Sequence, residues 1–370
     1  MKRLLLPLLF IAGIITMMAS GSRLYHTTDI NPQTDYDSAE VLNDYEYYGI
    51  AFYNLENLFD TINSNGKYDL EFSPNGARQW NSYKYWKKID KMAYTISRMI
   101  TDETPHGPAI IGISEIENES VVKDLVNSKH LKKRNLSYVH HDSPDNRGVD
   151  VAMLYDPTMF EVLSVTNTKL SEVPFNTRDQ MAVTGILGGR DTMTVIVCHW
   201  PSRLGGETKS QPHRIAAGKL ARHLADSVWS VNPNQHVIVM GDLNDDPNNV
   251  SVSMTPGLGA GNKAKNTATH GFFNPWWEIW EPDYRGTLSY HGKWNLFDQI
   301  IVSGTLIDNK KGHGTGDLVY YSAQINDFDF LKNREGTPYA GTPHRTYGGG
   351  KWLNGYSDHF PTEIFLKVRD

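Results

Sequence analysis

A single cysteine, Cys198, serves the whole 370-residue chain, so an intramolecular disulfide is excluded. A structural zinc site built on several thiolates is excluded with it. The lone thiol lies in "TVIVCHW", and neighbours on a strand point to opposite faces, so Cys198 and His199 cannot form a nucleophile–base dyad. Cys198 is therefore expected in the core. The chain also lacks an excess of positive charge: 36 Lys and Arg stand against 42 Asp and Glu, for a net charge of −6. That argues against holding nucleic acid mainly through a broad basic face. It leaves room for an enzyme that releases a phosphate substrate quickly. Beyond residue 18 there is no long apolar run.

Several nucleotide and metal signatures are absent too. His199 and His359 are far apart in sequence and lack HExxH spacing. Asp242, Asn244 and Asp246 follow the one-three-five spacing of an EF-hand loop, but Pro247 stands where glycine is needed and Ser253 where glutamate is needed. "YGGGKW" around Lys351 lacks the first Gly and the Ser/Thr of a P-loop and is expected to be a mobile loop.

What is present begins with "MKRLLLPLLFIAGIITMMASGS": a basic start, an apolar stretch from Leu4 to Met18 and a small-residue zone. This is the pattern of a secretory signal peptide over residues 1–22, with no lipobox cysteine after it. The stretch is shorter than the roughly 20 residues that span a bilayer, so no membrane span is expected after its removal. A secreted or periplasmic protein is expected, with residues 23–47 as a polar linker or arm and 48–370 as one domain.

Within that domain strand-like and helix-like segments alternate without a composition break or a repeat. "GIAFYNLENLF", "PAIIGISEIE", "VDVAMLYD", "MAVTGIL", "TMTVIVCHW", "HVIVMGDLN", "LFDQIIVSG", "DLVYYSAQI" and "TEIFLKV" read as strands. Trp86, Ile89, Met92, Ile96 and Met99 predict a core-facing helix, and Ile215, Leu220, Leu224 and Val228 a second. The fold class is α/β, layered.

Chemistry concentrates where the strands end. Asn54 follows "GIAFY", Glu115 follows "AIIGIS", His199 follows "TVIVC", and Asp242 with Asn244 follows "VIVMG". Asp298 begins "DQIIV", and Asp358 and His359 precede "FPTEIFL". Each has a bland reading as a turn-former or strand cap. Together they supply hard oxygen donors and imidazoles to what can be one rim, a set that suits Mg²⁺ or Mn²⁺. A bound cation and its water would explain why the acids of "GDLNDD" tolerate one another. Asp245 and Asp246, before proline, read as turn residues. Arg203 in "HWPSR" reads as a phosphate-binding or a surface arginine. Trp276, Trp277, Trp280 and Trp294 read as core packing or as a platform for a nucleobase. Glu117 and Asn118 either support Glu115 or end its strand. The basic run "KHLKKRN", 129–135, reads as a solvated surface or a phosphate-tracking patch.

The ordered set "FYNLENLFD", "GISEIEN", "RGVDVAMLY", "VCHWPSR", "GDLND", "FDQIIVSG" and "YSDHFP" resembles the endonuclease/exonuclease/phosphatase superfamily, the DNase I- and exonuclease III-like proteins, and within it an exported bacterial branch. The resemblance implies a four-layer α-β-β-α sandwich of the DNase I type. It implies Glu115 as principal metal ligand with Asn54 and Asp358 completing the site. Asp242 would orient or deprotonate water and Asn244 would hold a phosphate oxygen. His359, fixed by Asp298, and His199 would face the phosphate, with Asp150 a possible partner for His199. Arg203, Asn244 and Trp294 are the expected substrate-binding residues. The expected function is a secreted divalent-metal-dependent phosphodiesterase, foremost a nuclease on DNA or RNA. A sphingomyelinase-like phospholipid hydrolase, an inositol phosphatase-like monoesterase and an inactive binding module are the alternatives. No stable protein partner is expected.

Overall fold

The computed structural model describes residues 46–62, 70–281, 285–308 and 314–369. The expected leader at 1–22 and almost all of the expected arm at 23–47 lie outside these residues. The chain first lays down β1 (Tyr47–Leu58), helix α1 (Ser82–Ser97), β2 (Ile110–Ile116), helix α2 (Glu119–Val126), β3 (Ser137–His140) and β4 (Asp150–Tyr155). It continues with β5 (Phe160–Thr168), β6 (Gln180–Leu187), β7 (Asp191–His199), helix α3 (Glu207–Val231), β8 (His236–Asp242) and β9 (Asp298–Ser303). Two more strands close the fold, β10 (Leu318–Ile325) and β11 (Thr362–Val368). They return to the first sheet, whose order is β10-β11-β1-β2-β4-β3. The second sheet runs β5-β6-β7-β8-β9 and is extended by two short strands, Phe272–Phe273 and Ala260–Gly261.

The central strands are apolar along their whole length because both of their faces are covered. Period-two alternation then sorts the side chains. Ile50 and Phe52 of β1 meet Val195, Val197, Ile238 and Met240 of β7 and β8 in the core between the sheets. Ala51, Tyr53, Ile111 and Ile113 face outward among residues of α1 and α2. Ile196, Cys198, Val237 and Val239 face outward with Ala217 and Ala221 of α3. This is the four-layer α-β-β-α sandwich. Cys198 is buried against α3, and burial pushes its thiol up to about 12, so it is inert.

Two helix readings need correction. In α1, Ile89, Met92 and Ile96 are buried as their spacing predicts, but Trp86 is 52% exposed. Tyr85 takes the inward position instead, and its hydroxyl donates to Asp124 Oδ2 at 2.6 Å. In α3, Ile215, Leu220, Leu224 and Val228 are only half-buried. The buried stripe is Arg214, Ala217, Ala221, Ala225 and Trp229. Small side chains let the helix axis approach the sheet, while the branched ones flank the contact. Gly218 belongs to the same close approach, since a Cβ there would sit 2.4 Å from the Ser251 carbonyl oxygen. None of the described helices is long and apolar enough to cross a membrane.

Glu363 on β11 is fully buried; Oε2 accepts from Asn326 Nδ2 at 3.0 Å, and Oε1 has no partner. Burial raises its carboxyl from 4.5 to about 7, against the pull of Asn326, Gln324 and Arg134. Between these two values the folded chain binds more protons than the unfolded one, so stability falls as pH rises through that window. Glu363→Gln is therefore expected to gain up to about 3 kcal/mol at pH 8, at 1.36 kcal/mol per unit, and almost nothing at pH 4. Urea unfolding at the two pH values checks this; an equal effect at both would contradict it.

Candidate active site

Strand order brings the polar strand ends to one rim. β7 and β8 run parallel and end in register at His199 and Asp242. β9 runs antiparallel and starts at Asp298, directly opposite Asp242. On the other sheet β1 and β2 are parallel, with Asn54 paired to Ser114 and the register broken immediately beyond. A second break between Ser114 and Ile116 leaves Glu115 as the bulged residue against β4. Bulges re-aim side chains at the ends of strands. The backbone here is strained accordingly: Glu56, Asn57, Glu115 and Asn244 all have φ between 49° and 61°. A non-glycine residue in that region costs on the order of 1–3 kcal/mol and persists only where its surroundings hold it. The neighbouring hydrogen bonds do hold these. Asn57 N–H donates to Glu115 Oε2 at 2.9 Å and Asn244 N–H to Asp242 Oδ1 at 2.9 Å.

The side chains form a continuous chain of close approaches. His199 Nε2 lies 3.8 Å from Glu115 Oε1 and 3.6 Å from Asp242 Oδ2. His359 Nε2 lies 3.9 Å from both Asp242 Oδ2 and Asp358 Oδ1. Behind it, His359 Nδ1 is 2.7 Å from Asp298 Oδ2. Asn54 Nδ2 donates to Asp242 Oδ2 at 3.0 Å, joining the two sheets at the site. Ser357 Oγ donates to the Asn54 carbonyl, which ties the "SDH" loop to the end of β1.

The electrostatics of the two imidazoles differ in sign. Burial opposes charge on His359, but Asp298, with Asp242 and Asp358, outweighs it and holds the imidazole well above its usual range. His199 is pushed well below that range by burial and by Arg178, against the pull of Glu115. The surroundings thus favour the charged form of His359 and the neutral form of His199. Burial raises Asp242 to about 6, partly offset by His359. Glu115 is also penalised by burial, yet Arg147 and His199 beside it hold the carboxyl well below the ordinary carboxylate range.

Several sequence expectations take a different place. Arg203 is committed to the turn after β8: it contacts Asp245 and Asp246 at 3.1 Å and Glu207 at 3.1 Å, and donates to the Asn244 carbonyl. It shapes that turn instead of presenting a free guanidinium to substrate. Asp245 is more than a turn residue. It is buried against Arg214 Nε at 2.7 Å, so of the clustered acids only Asp242 belongs to the cleft's chain of contacts. Asn244 Nδ2 donates to the Trp200 carbonyl at 3.0 Å, which fixes its side chain at the cleft edge. Trp294 is half-buried, stacks on Phe360 and packs against the central core, while Trp276 is fully buried. Asp150 pairs with His140 at 3.2 Å, not with His199. Asn118 caps α2 through Val121 N–H, and Glu117 accepts from Asp60 N–H. In the basic run, Arg134 is anchored to the Pro108 carbonyl and Lys129 to Asp90.

Three residues of the site carry no sequence signal strong enough to single them out. Arg147 reaches Glu115 Oε1 at 3.0 Å and Asn57 Oδ1 at 2.6 Å. Glu56 is buried and accepts from Thr346 N–H at 2.7 Å. Arg345 bridges Glu56 and Asp358, at 3.3 and 2.8 Å. "RGVDVAMLY" did mark Arg147's segment, but as a strand start.

A divalent ion fits this donor set. Asp242, Asp298 and His359 offer ligand atoms within 4.8 Å of one another, and the acids around them are hard oxygen donors. Asp298 Oδ2 is taken by His359 Nδ1. Glu115, Asn54 and Asp358 add oxygen atoms on the same rim, and Glu115 shares Oε1 with Arg147 and Oε2 with Asn57 N–H.

A family model described as the Endonuclease/Exonuclease/phosphatase family matches residues 49–368. No curated protein matches the chain. Among solved structures, a humanized D. rerio TDP2 carrying 14 mutations is similar with a TM-score of 0.52 and 11% identity, over 87% of this chain and 100% of that one. TDP2 from C. elegans gives 0.51 and 13%, over 88% and 77%. At these identities the likeness shows the shared fold alone.

Proposed function

The chain belongs to the endonuclease/exonuclease/phosphatase family of metal-dependent phosphoester hydrolases, and we propose that within it this protein is a phosphodiesterase acting on nucleic acid. The observation that carries the reading is His359, held by Asp298 at 2.7 Å on one side and facing Asp242 at 3.9 Å on the other. An imidazole whose charged form its carboxylate neighbours favour, beside an Asp242 carboxyl raised to about 6, is a donor–acceptor pair for attack on a phosphate.

The roles follow from positions. Asp242 has both oxygens fixed, by Asn244 N–H and Asn54 Nδ2, and is the group that orients the incoming water and takes its proton. His359 donates from Nε2 to a phosphoryl oxygen, while Asp298 fixes the tautomer and sustains the charge. Neutral His199, between Glu115 and Asp242, donates a hydrogen bond without adding charge. Mg²⁺ or Mn²⁺ held by Glu115, Asn54 and Asp358 would supply Lewis acidity against the charge that grows on the phosphate.

The test is a rate panel with Mg²⁺ or Mn²⁺: bis(p-nitrophenyl) phosphate, plasmid DNA, RNA, sphingomyelin and inositol phosphates. Cleavage of the diester and of a polynucleotide at the highest rates is the expected outcome. Faster release of phosphate from the inositol phosphates would replace the proposal with a phosphatase.

A further inference from the structure

Beside the acid chain lies a cleft of about 200 Å³ that the mechanism does not use. Its lining includes Phe72, Arg78, Arg345 and Tyr347, and it is closed by the Gly348–Gly350 turn. It adjoins the reacting centre at two points. Asn57 lines it and donates its backbone N–H to Glu115, and Arg345 lines it and contacts Asp358. Its size suits a chemical group of a substrate rather than a whole ligand.

The lining brings two guanidinium groups to one small space. Arg78 lies over the rings of Phe72 and Tyr347, 5.8 and 5.3 Å from their centroids, which fixes its plane. Its ion pair to Glu71 is made through Nε at 2.7 Å. Nη1 and Nη2 make no hydrogen bond to another described residue. Arg345 is half-exposed and contacts Glu56 through Nε and Asp358 through Nη2. The lining also includes bare backbone: Gly349 and Gly350 have φ of 55° and 79°, and a Cβ on either would meet nothing within 4 Å. A planar fork with terminal donors on an aromatic floor, in a cleft that Arg345 and its partner Glu56 also line, matches phosphate geometry.

We infer that this cleft is a subsite for a second phosphate group of the substrate, gripped by Arg78 and Arg345 while the scissile phosphate sits at His359. The inference rests on the phosphodiesterase reading and gives it a substrate class: molecules carrying a second phosphate near the reacting one, whether the next phosphate of a polynucleotide or that of a small bisphosphate.

Product binding tests this apart from turnover. Dissociation constants for thymidine 3′,5′-bisphosphate against thymidine 5′-phosphate, and for glucose 1,6-bisphosphate against glucose 6-phosphate, are measured by calorimetry on the full chain with Mg²⁺. The bisphosphate is expected to bind at least about tenfold more tightly in the nucleotide pair. A preference confined to nucleotides identifies a polynucleotide source; one shared by the sugars identifies small bisphosphates as well. Arg78→Gln is expected to erase the preference. Glu71→Gln, which removes the competing carboxylate, is expected to strengthen it, so the test survives if Arg78→Gln fails to fold. A preference below twofold in the unsubstituted chain overturns the inference, as does one unchanged in both variants. Preferential binding without any turnover in the rate panel would overturn the activity and leave the subsite standing. Turnover without the preference would do the reverse.

Discussion

His359→Ala is expected to lower kcat for bis(p-nitrophenyl) phosphate by about a thousandfold, within the range for losing a positioned proton donor or a stabilising charge. The effect is large because, of the two imidazoles described at the site, only His359 has its Nδ1 paired with a buried carboxylate. Burial and Arg178 disfavour charge on His199, and its Nδ1 has no partner. Asp298 Oδ1 is likewise unpartnered, so removing His359 strips this buried acid of its one imidazole. His359→Gln separates chemistry from support. Its amide can still donate to Asp298 but brings no charge, so it should keep the circular dichroism spectrum and most of the melting temperature while losing a similar factor in kcat. A near-normal rate in the glutamine variant would remove His359 from the mechanism.

Arg214→Ala is expected to destabilise the fold by roughly 3–5 kcal/mol, the cost of leaving a buried charge without its partner. Arg214 is fully buried in α3, and its Nε lies 2.7 Å from Asp245 Oδ2. Its Nη1 donates to Ser210 Oγ at 2.7 Å and its Nη2 to the Glu207 carbonyl at 3.1 Å. Asp245 also takes Ser251 Oγ and Arg203. The cluster therefore stitches the start of α3 to the turn that carries Asn244. The loss should be much smaller in Arg214→Met paired with Asp245→Leu, because the two residues couple. Equilibrium urea unfolding of the single and double variants decides it; additive losses would mean that the ion pair is not the source of the stability.

This cluster shows what a sequence can and cannot reveal about such a site. Asp242, Glu115, His199 and Asp298 stand at the ends of long apolar runs. Their positions follow from local pattern, and strand pairing then gathers them. The reason the other acids of "GDLNDD" tolerate one another was not legible there. The charges that offset Asp245 come from Arg203 and Arg214, 42 and 31 residues earlier, and no spacing rule ties an arginine to a distant carboxylate. Glu56 and Arg345 pair across 289 residues for the same reason. On α3 the buried stripe is alanine, which carries little hydrophobic signal, so periodicity located the helix but drew attention to its flanks. Trp86 misled in the opposite sense: a large apolar residue one position from the true stripe outweighed Tyr85, whose hydroxyl finds Asp124 on a separate helix. The bulge at Glu115 has no composition signature either. In the fold it shows as a register break against β4 and a left-handed φ on a glutamate.

On the proposed reading, side chains from residue 54 to residue 359 meet as one metal-dependent phosphoester site. The direct measurement is the rate of bis(p-nitrophenyl) phosphate hydrolysis by the full chain, stripped of metal with chelator and then supplied with Mg²⁺ or Mn²⁺. The rate is expected to fall to background on stripping, return with added metal, and fail to return in Glu115→Ala. Hydrolysis that survives exhaustive chelation, or full recovery in Glu115→Ala, would contradict it.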